Sequence, residues 1–166
     1  GLGGGSMNAA SIFKFLLKKR IIKASKKEII LISKLVGSDV VLGLNFTNCI
    51  LTSSNKIKYF NKCKKIHVLI VKPNFGCSTK KIYQKVKRFT KPKFNKPSKN
   101  MFDLNYLKKM NNSLEQIAFS EYSKLKSIKI YLESLSKPFF VRMTGSGSAL
   151  VAYFQSKESC LNAKKI

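Results

Sequence analysis

The chain opens Gly1-Leu2-Gly3-Gly4-Gly5-Ser6-Met7-Asn8-Ala9-Ala10, a glycine-rich turn running directly into an amphipathic segment. Those residue types in that order can hold a phosphate. Glycine permits positive φ and close approach of the backbone, and the N–H groups that open a helix, at its positive dipole end, favour an anion. A second small-residue loop, Met143-Thr144-Gly145-Ser146-Gly147-Ser148-Ala149, lies between two apolar runs far along the chain, and two such loops could converge on one ligand. Between them, Ser38-Asp39-Val40 follows the helix-ending Gly37, so Asp39 is either a cap or a placed carboxylate. The opening Gly-Gly-Gly-Ser-Met also reads as an engineered linker ahead of a methionine. A linker does not account for the second loop.

Periodicity supplies the elements that must position these groups. Ala9, Ile12, Phe13, Leu16, Leu17 and Ile21 recur at helical spacing from Asn8 to about Lys23, with Ser6 or Asn8 as the cap. Ser25 with Glu28 forms a capping box for a second helix, which Ile29, Ile30, Ile32 and Leu35 carry to a stop at Gly37. Cys49–Thr52 and Ile57–Phe60 predict a hairpin. An apolar strand from Ile66 to Val71 leads through the turn 72–79 into a helix with Ile82, Tyr83 and Val86 on one face. The stretch 88–100 is basic, proline-bearing and aperiodic, and reads as a mobile loop. Ser113 with Gln116 suggests another capping box, for a long helix from Leu114 to about Leu135. Strands at Phe139–Arg142 and Leu150–Phe154 flank the second glycine loop, and a closing helix starts near Ser156.

Composition narrows the partners. The 166 residues carry 33 lysines and arginines against 7 acids, a formal charge of +26, which makes nucleic acid the first partner to consider. Only Arg20, Arg88 and Arg142 are arginines, however, and planar bidentate reading of phosphates and guanines favours arginine over lysine. The excess of lysine, asparagine and isoleucine fits a compositional bias of the source, and polyanions in general remain candidate ligands, nucleotides and diphosphates among them. Cys49, Cys63, Cys77 and Cys160 are scattered without a C-x-x-C pair, which suggests neither a metal centre nor a disulfide framework. His67 is the single histidine and reads as structural. No apolar run reaches the roughly 20 residues of a membrane span, so a soluble protein of a reducing compartment is expected.

Four segments, in order, resemble the GHMP small-molecule kinases, the family of galactokinase, homoserine kinase, mevalonate kinase and phosphomevalonate kinase. Gly1 to Ala10 resembles the phosphate-binding motif, with Met7 where a second serine is usual. Gly37-Ser38-Asp39-Val40 is similar to the segment carrying the catalytic aspartate. Val71-Lys72-Pro73-Asn74-Phe75-Gly76-Cys77-Ser78-Thr79 resembles a strand-to-helix turn of the family, and Arg142 to Ser148 its third motif. Asn112-Ser113-Leu114-Glu115 also resembles a helix start of the family.

The resemblance implies an α/β (α+β) chain with the GHMP two-domain fold: a partial N-terminal, ATP-binding domain over residues 1–62 and a ferredoxin-like C-terminal domain over 63–166. It implies transfer of a phosphoryl group from ATP, with Mg²⁺, to the 2-hydroxyl of a cytidine diphosphate-linked methylerythritol in isoprenoid precursor synthesis. Asp39 would be catalytic. Gly1, Leu2, Gly3, Gly4, Gly5, Ser6 and Met7 would bind ATP, and Asn8, Thr79, Gly145, Ser146 and Gly147 the substrate, with no protein metal site. Such an enzyme would work in a bacterial cytoplasm or a plastid stroma, with a small molecule rather than a membrane or nucleic acid as its partner.

The family has a substantial part ahead of the phosphate motif, including an early catalytic lysine, and more sequence at the C-terminal end. The chain is therefore expected to be a fragment, inactive alone, with exposed apolar faces on its first helix and poor solubility. A basic nucleic-acid-binding module and a catalytically dead relative of the family are the alternative readings.

Overall fold

A computed structural model describes residues 2–45, 47–54, 56–135 and 138–165, which form two compact units. The first unit holds Gly3–Asn61 and Phe94–Pro97, and the second holds Leu2, Lys62–Lys93 and the stretch from Ser98 onward.

In the first unit, helix α1 spans Gly4–Lys18 and α2 spans Lys26–Val36, followed by a 3-10 turn over Val40–Leu44. Strands β1 (Asn48–Leu51) and β2 (Ile57–Phe60) pair antiparallel, with Asn48 opposite Phe60 and Leu51 opposite Ile57. The capping box of α2 is closed in both directions: the Glu28 N–H donates to Ser25 Oγ at 3.3 Å and the Ser25 N–H to the Glu28 carboxylate at 2.7 Å. These bonds hold Glu28 below the usual carboxylate range. Ala10, Val40 and Val41 are buried where the 3-10 turn packs on α1. Much apolar surface stays uncovered, including Ile12 and Phe15 on α1 and Ile30, Leu31, Leu35 and Val36 on α2.

Helix α1 differs from its sequence reading at both ends. It begins at Gly4 rather than Asn8 and ends at Lys18 rather than about Lys23. Neither Ser6 nor Asn8 caps it. Gly3 occupies the cap position in the left-handed region, at φ 64°, with no side-chain hydrogen bond, and the following glycines are drawn into the first turn. At the far end Arg20 takes a positive φ of 56° and breaks the helical run.

The second unit is built on a three-stranded antiparallel sheet. Strands β3 (His67–Val71), β4 (Phe140–Met143) and β5 (Leu150–Phe154) lie in the order β3-β5-β4, with Val71 and Met143 both opposite Leu150. Helix α3 covers Thr79–Gln84, α4 Leu104–Lys109, α5 Glu115–Glu121, α6 Ser123–Ser134 and α7 Lys157–Lys164, with a 3-10 turn at Lys99–Phe102. Alternation along β5 sends Leu150, Ala152 and Phe154 into a core with Ile82, Ala118, Leu125, Leu132, Val141 and Met143. On the opposite face Tyr153 stacks on Phe140 with ring centres 4.2 Å apart, and the Arg142 guanidinium lies 4.7 Å from the Phe140 centre.

The long helix expected from Leu114 to about Leu135 is two helices, broken at Tyr122, whose φ of −132° and ψ of 77° are not helical. The cause is tertiary. Tyr122 accepts the Ser78 N–H at 3.1 Å on its hydroxyl and stacks against Phe75. The Ser113–Gln116 box does not form; Asn112 Oδ1 accepts the Leu114 N–H at 3.0 Å instead. Helix α3 is short, and Tyr83 faces solvent while Ile82 is fully buried. Within the basic stretch 88–100, Asn95 is tied down in the first unit, accepting from the Ser53 hydroxyl at 2.6 Å and from its N–H at 3.3 Å.

Candidate active site

In the first unit the glycine-rich opening becomes the start of α1. The first intrahelical bond runs from the Met7 N–H to the Gly3 carbonyl at 2.9 Å. The N–H groups of Gly4, Gly5 and Ser6 therefore have no acceptor within the helix, at the end where the dipole is positive. A Cβ placed on Gly3, Gly4 or Gly5 would meet nothing within 4 Å, so the backbone there is open to a ligand. Leu2 and Asn8 are exposed, and Gly1 lies outside the described residues.

Met7, which replaces the hydroxyl expected from the family, points elsewhere. A Cβ on Gly43 would lie 2.7 Å from the Ala10 Cβ and 3.0 Å from Met7 Sδ and Cε. The thioether is thus packed on Gly43, where it helps fix the 3-10 turn against α1. On the sequence side of that turn, a Cβ on Gly37 would sit 3.8 Å from Ser6 Oγ. The Gly37-Ser38-Asp39 segment therefore starts beside the N-terminal end of α1.

Asp39 occupies the cap position of the 3-10 turn, yet its side chain makes no capping hydrogen bond, and it is exposed. Each of the other six acids has a structural role. Asp103 pairs with Lys64, Glu121 with Lys81 and Lys85, and Glu115 and Glu133 with Lys129. Glu28 closes a capping box, and Glu158 lies in the first turn of α7, where the dipole favours it. Among the described residues, Asp39 alone has no such role.

The second unit gathers Thr79, Gly145, Ser146 and Gly147. Thr79 Oγ1 and Ser146 Oγ are 2.8 Å apart, and Ser148 Oγ donates to the Phe75 carbonyl at 2.6 Å. Lys72 Nζ donates to the Pro73 and Phe75 carbonyls at 2.7 and 2.9 Å, closing the turn that leads to Thr79. Gly147, at φ 86°, is held so closely that a Cβ would lie 3.0 Å from both Cys77 Sγ and Met143 Sδ. Partial burial there pushes the Cys77 thiol pKa up.

Sequence reasoning singled out the loop but not what holds it. Asn112 Nδ2 donates to the Met143 carbonyl at 2.9 Å and to the Gly145 carbonyl at 2.8 Å. Glu115, buried, accepts the Met143 N–H at 2.7 Å and pairs with Lys129 at 2.6 Å. Arg142, whose pKa burial lowers, donates to the Leu107 and Met110 carbonyls and fixes the chain leading to Asn112. The only available signal was the type pair, an asparagine three residues ahead of a glutamate at a helix start.

Over 98% of its length the chain is 51% identical to a protein of Pelagibacter ubique named 4-diphosphocytidyl-2-C-methyl-D-erythritol kinase, across 163 residues that make up 58% of that relative. A protein of the same name from Petrotoga mobilis is 35% identical over 158 aligned positions, an alignment that covers 90% of this chain and 61% of the relative. Another from Clostridium tetani is 31% identical over 172 aligned positions, gaps included, an alignment that covers 98% of this chain and 60% of the relative. The chain spans about three fifths of the length of the curated relatives it matches. No protein-family model matches it.

Proposed function

Since the chain is a homologue of the 4-diphosphocytidyl-2-C-methyl-D-erythritol kinases over nearly its whole length, we propose that it serves ATP-dependent phosphorylation of the 2-hydroxyl of 4-diphosphocytidyl-2-C-methylerythritol, a step of isoprenoid precursor synthesis. The observation that carries the reading is Asp39, an exposed carboxylate without cap or lysine partner, on the segment beside Ser6 and the open N-terminus of α1.

Phosphoryl transfer asks a protein mainly for positioning and for stabilisation of charge on the moving group. The N–H groups of Gly4, Gly5 and Ser6 receive the nucleotide phosphates, and the Cβ-free backbone lets them come close. Asp39 accepts the proton of the substrate hydroxyl as its oxygen bonds to the terminal phosphorus and the bond to the departing nucleoside diphosphate breaks. In the second unit Thr79, Ser146 and the backbone of Gly145 and Gly147 are the groups proposed to contact substrate, as is Asn8 in the first unit.

Magnesium would neutralise charge on the phosphates. Such an ion arrives on the nucleotide and takes few protein ligands. Ser6, in the first turn of α1, would supply a hydroxyl to it. No helix among the described residues is long and apolar enough to cross a membrane.

The test uses the full-length protein containing these residues, supplied with ATP and 4-diphosphocytidyl-2-C-methylerythritol. Phosphate should appear on the 2-hydroxyl, and Asp39→Asn should lower turnover by about 10²-fold or more while ATP binding persists. Absence of transfer by the unaltered protein, the outcome expected of a catalytically dead relative, would overturn the proposal. Retained activity in Asp39→Asn would remove Asp39 from its role.

A further inference from the structure

We infer that Asn112 and Glu115 are positioning residues that hold the 143–148 loop in its site-forming shape from the start of α5. The peptide of Met143 is gripped on both sides. Its N–H goes to the Glu115 carboxylate at 2.7 Å and its carbonyl to Asn112 Nδ2 at 2.9 Å. The second hydrogen of the same amide group reaches the Gly145 carbonyl at 2.8 Å, so one side chain spans the first arm of the turn. Asn112 Oδ1 accepts the Leu114 N–H, which leaves the amide with both donors and an acceptor committed. Glu115 is anchored in turn by Lys129 at 2.6 Å.

Neither residue offers its bonding groups to a ligand. Their effect is to make loop and helix start one rigid piece, with the Ser146 hydroxyl aimed at Thr79 on the far side. The loop's own bonds, Thr144 N–H to the Ala149 carbonyl at 3.0 Å and Gly147 N–H to the Thr144 carbonyl at 3.1 Å, close a turn that contains two glycines and specifies its shape weakly on its own. A misplacement of about 1 Å at such a site is enough to cost on the order of 10²-fold in rate.

The inference rests on the proposed kinase activity only for its kinetic readout. In the full-length protein, Asn112→Asp keeps the acceptor for Leu114 and turns both carbonyl contacts repulsive. Glu115→Ala removes the grip on the Met143 N–H, and Glu115→Gln restores an acceptor. Hydrogen exchange at the amides of 143–148 should accelerate at least about tenfold in Asn112→Asp and Glu115→Ala, and return towards the unaltered rate in Glu115→Gln. Turnover should fall about 10- to 100-fold in the first two variants, with the KM for ATP changed less than about threefold. Ser156→Ala, which removes the cap of α7, serves as a control that destabilises the same unit away from the loop and should leave loop exchange and turnover in place. Unchanged loop exchange in Asn112→Asp would overturn the inference whatever the kinase assay returns. Faster exchange with full turnover would also overturn it, whereas an inactive parent protein would count against the kinase reading alone.

Discussion

Thr79 Oγ1 and Ser146 Oγ lie 2.8 Å apart although 67 positions separate them in sequence. One hydroxyl comes from the first residue of α3 and the other from a glycine loop between β4 and β5, so their meeting depends on the sheet that aligns β3, β5 and β4. Thr79→Val and Ser146→Ala should each destabilise the second unit, and the double variant should cost less than their sum. A coupling of about 0.5–1.5 kcal/mol is expected, the range of a single neutral hydrogen bond. Urea denaturation of the four proteins reads it directly, and strict additivity would show that the two groups do not interact in solution.

Glycine substitutions should split by location. Gly147→Ala forces a side chain into a positive-φ position against Cys77 and Met143, and should cost about 1–3 kcal/mol. Gly4→Ala and Gly5→Ala place a Cβ in open space within α1, and should stabilise the fold by about 0.4–1 kcal/mol. On the proposed function these same two changes weaken ATP binding, because the added methyl stands where the phosphates approach. Melting temperatures and nucleotide titration together separate the effects. Tighter ATP binding in either variant would contradict the phosphate-loop reading.

Asp39→Asn should leave stability within about 0.5 kcal/mol of the parent, since the side chain is exposed and caps nothing. Glu115→Ala removes a buried partner of Lys129 and of the Met143 N–H, and should cost about 3–5 kcal/mol. Thermal unfolding of the two variants side by side tests whether the carboxylates divide into working and structural groups as their contacts indicate.

Hydrogen bonds from Lys85 and Lys81 hold Glu121 below its usual 4.5. A carboxyl depressed in the fold contributes stability that is complete above the unfolded value and is lost as pH falls through the folded one. Glu121→Gln should therefore be less stable than the parent at pH 7, with the gap closing below about pH 4.5. Asp103 and Glu28 shift in the same direction, so the parent weakens in acid regardless and the difference between the two proteins is the quantity to measure. A gap that stays constant down to pH 3 would exclude the ion pair as its cause.

Features encoded within a few residues were legible in the sequence. The Ser25–Glu28 box, the hairpin on either side of the turn after Leu51, the strand–turn–helix that passes through Thr79 and the second glycine loop all follow from local types and periods, and the structure carries them. What escaped was set from outside. Tyr122 breaks a run that looks helical throughout, because its hydroxyl takes the N–H of Ser78, 44 positions away. The Ser113 box fails to form ahead of the next helix, where the Leu114 N–H goes to Asn112, whose amide is also fixed by the carbonyls of Met143 and Gly145. The early start of α1 depends on Gly3 adopting a left-handed conformation that no neighbouring residue type announces. Of the candidate site, the residue types were readable, whereas the supports behind the loop are long-range hydrogen bonds with no local pattern.

The tie between Ser53 and Asn95 has a consequence for synthesis on the ribosome. The first unit is covalently discontinuous: the chain leaves it at Asn61 and supplies its last piece only at Phe94–Pro97. With synthesis at about 5–20 residues per second, that piece emerges about 2–7 seconds after Asn61. Until then the hairpin turn offers its Ser53 hydroxyl and N–H to water, so the nascent unit passes through an interval in which its helices can pack but its hairpin has no strap.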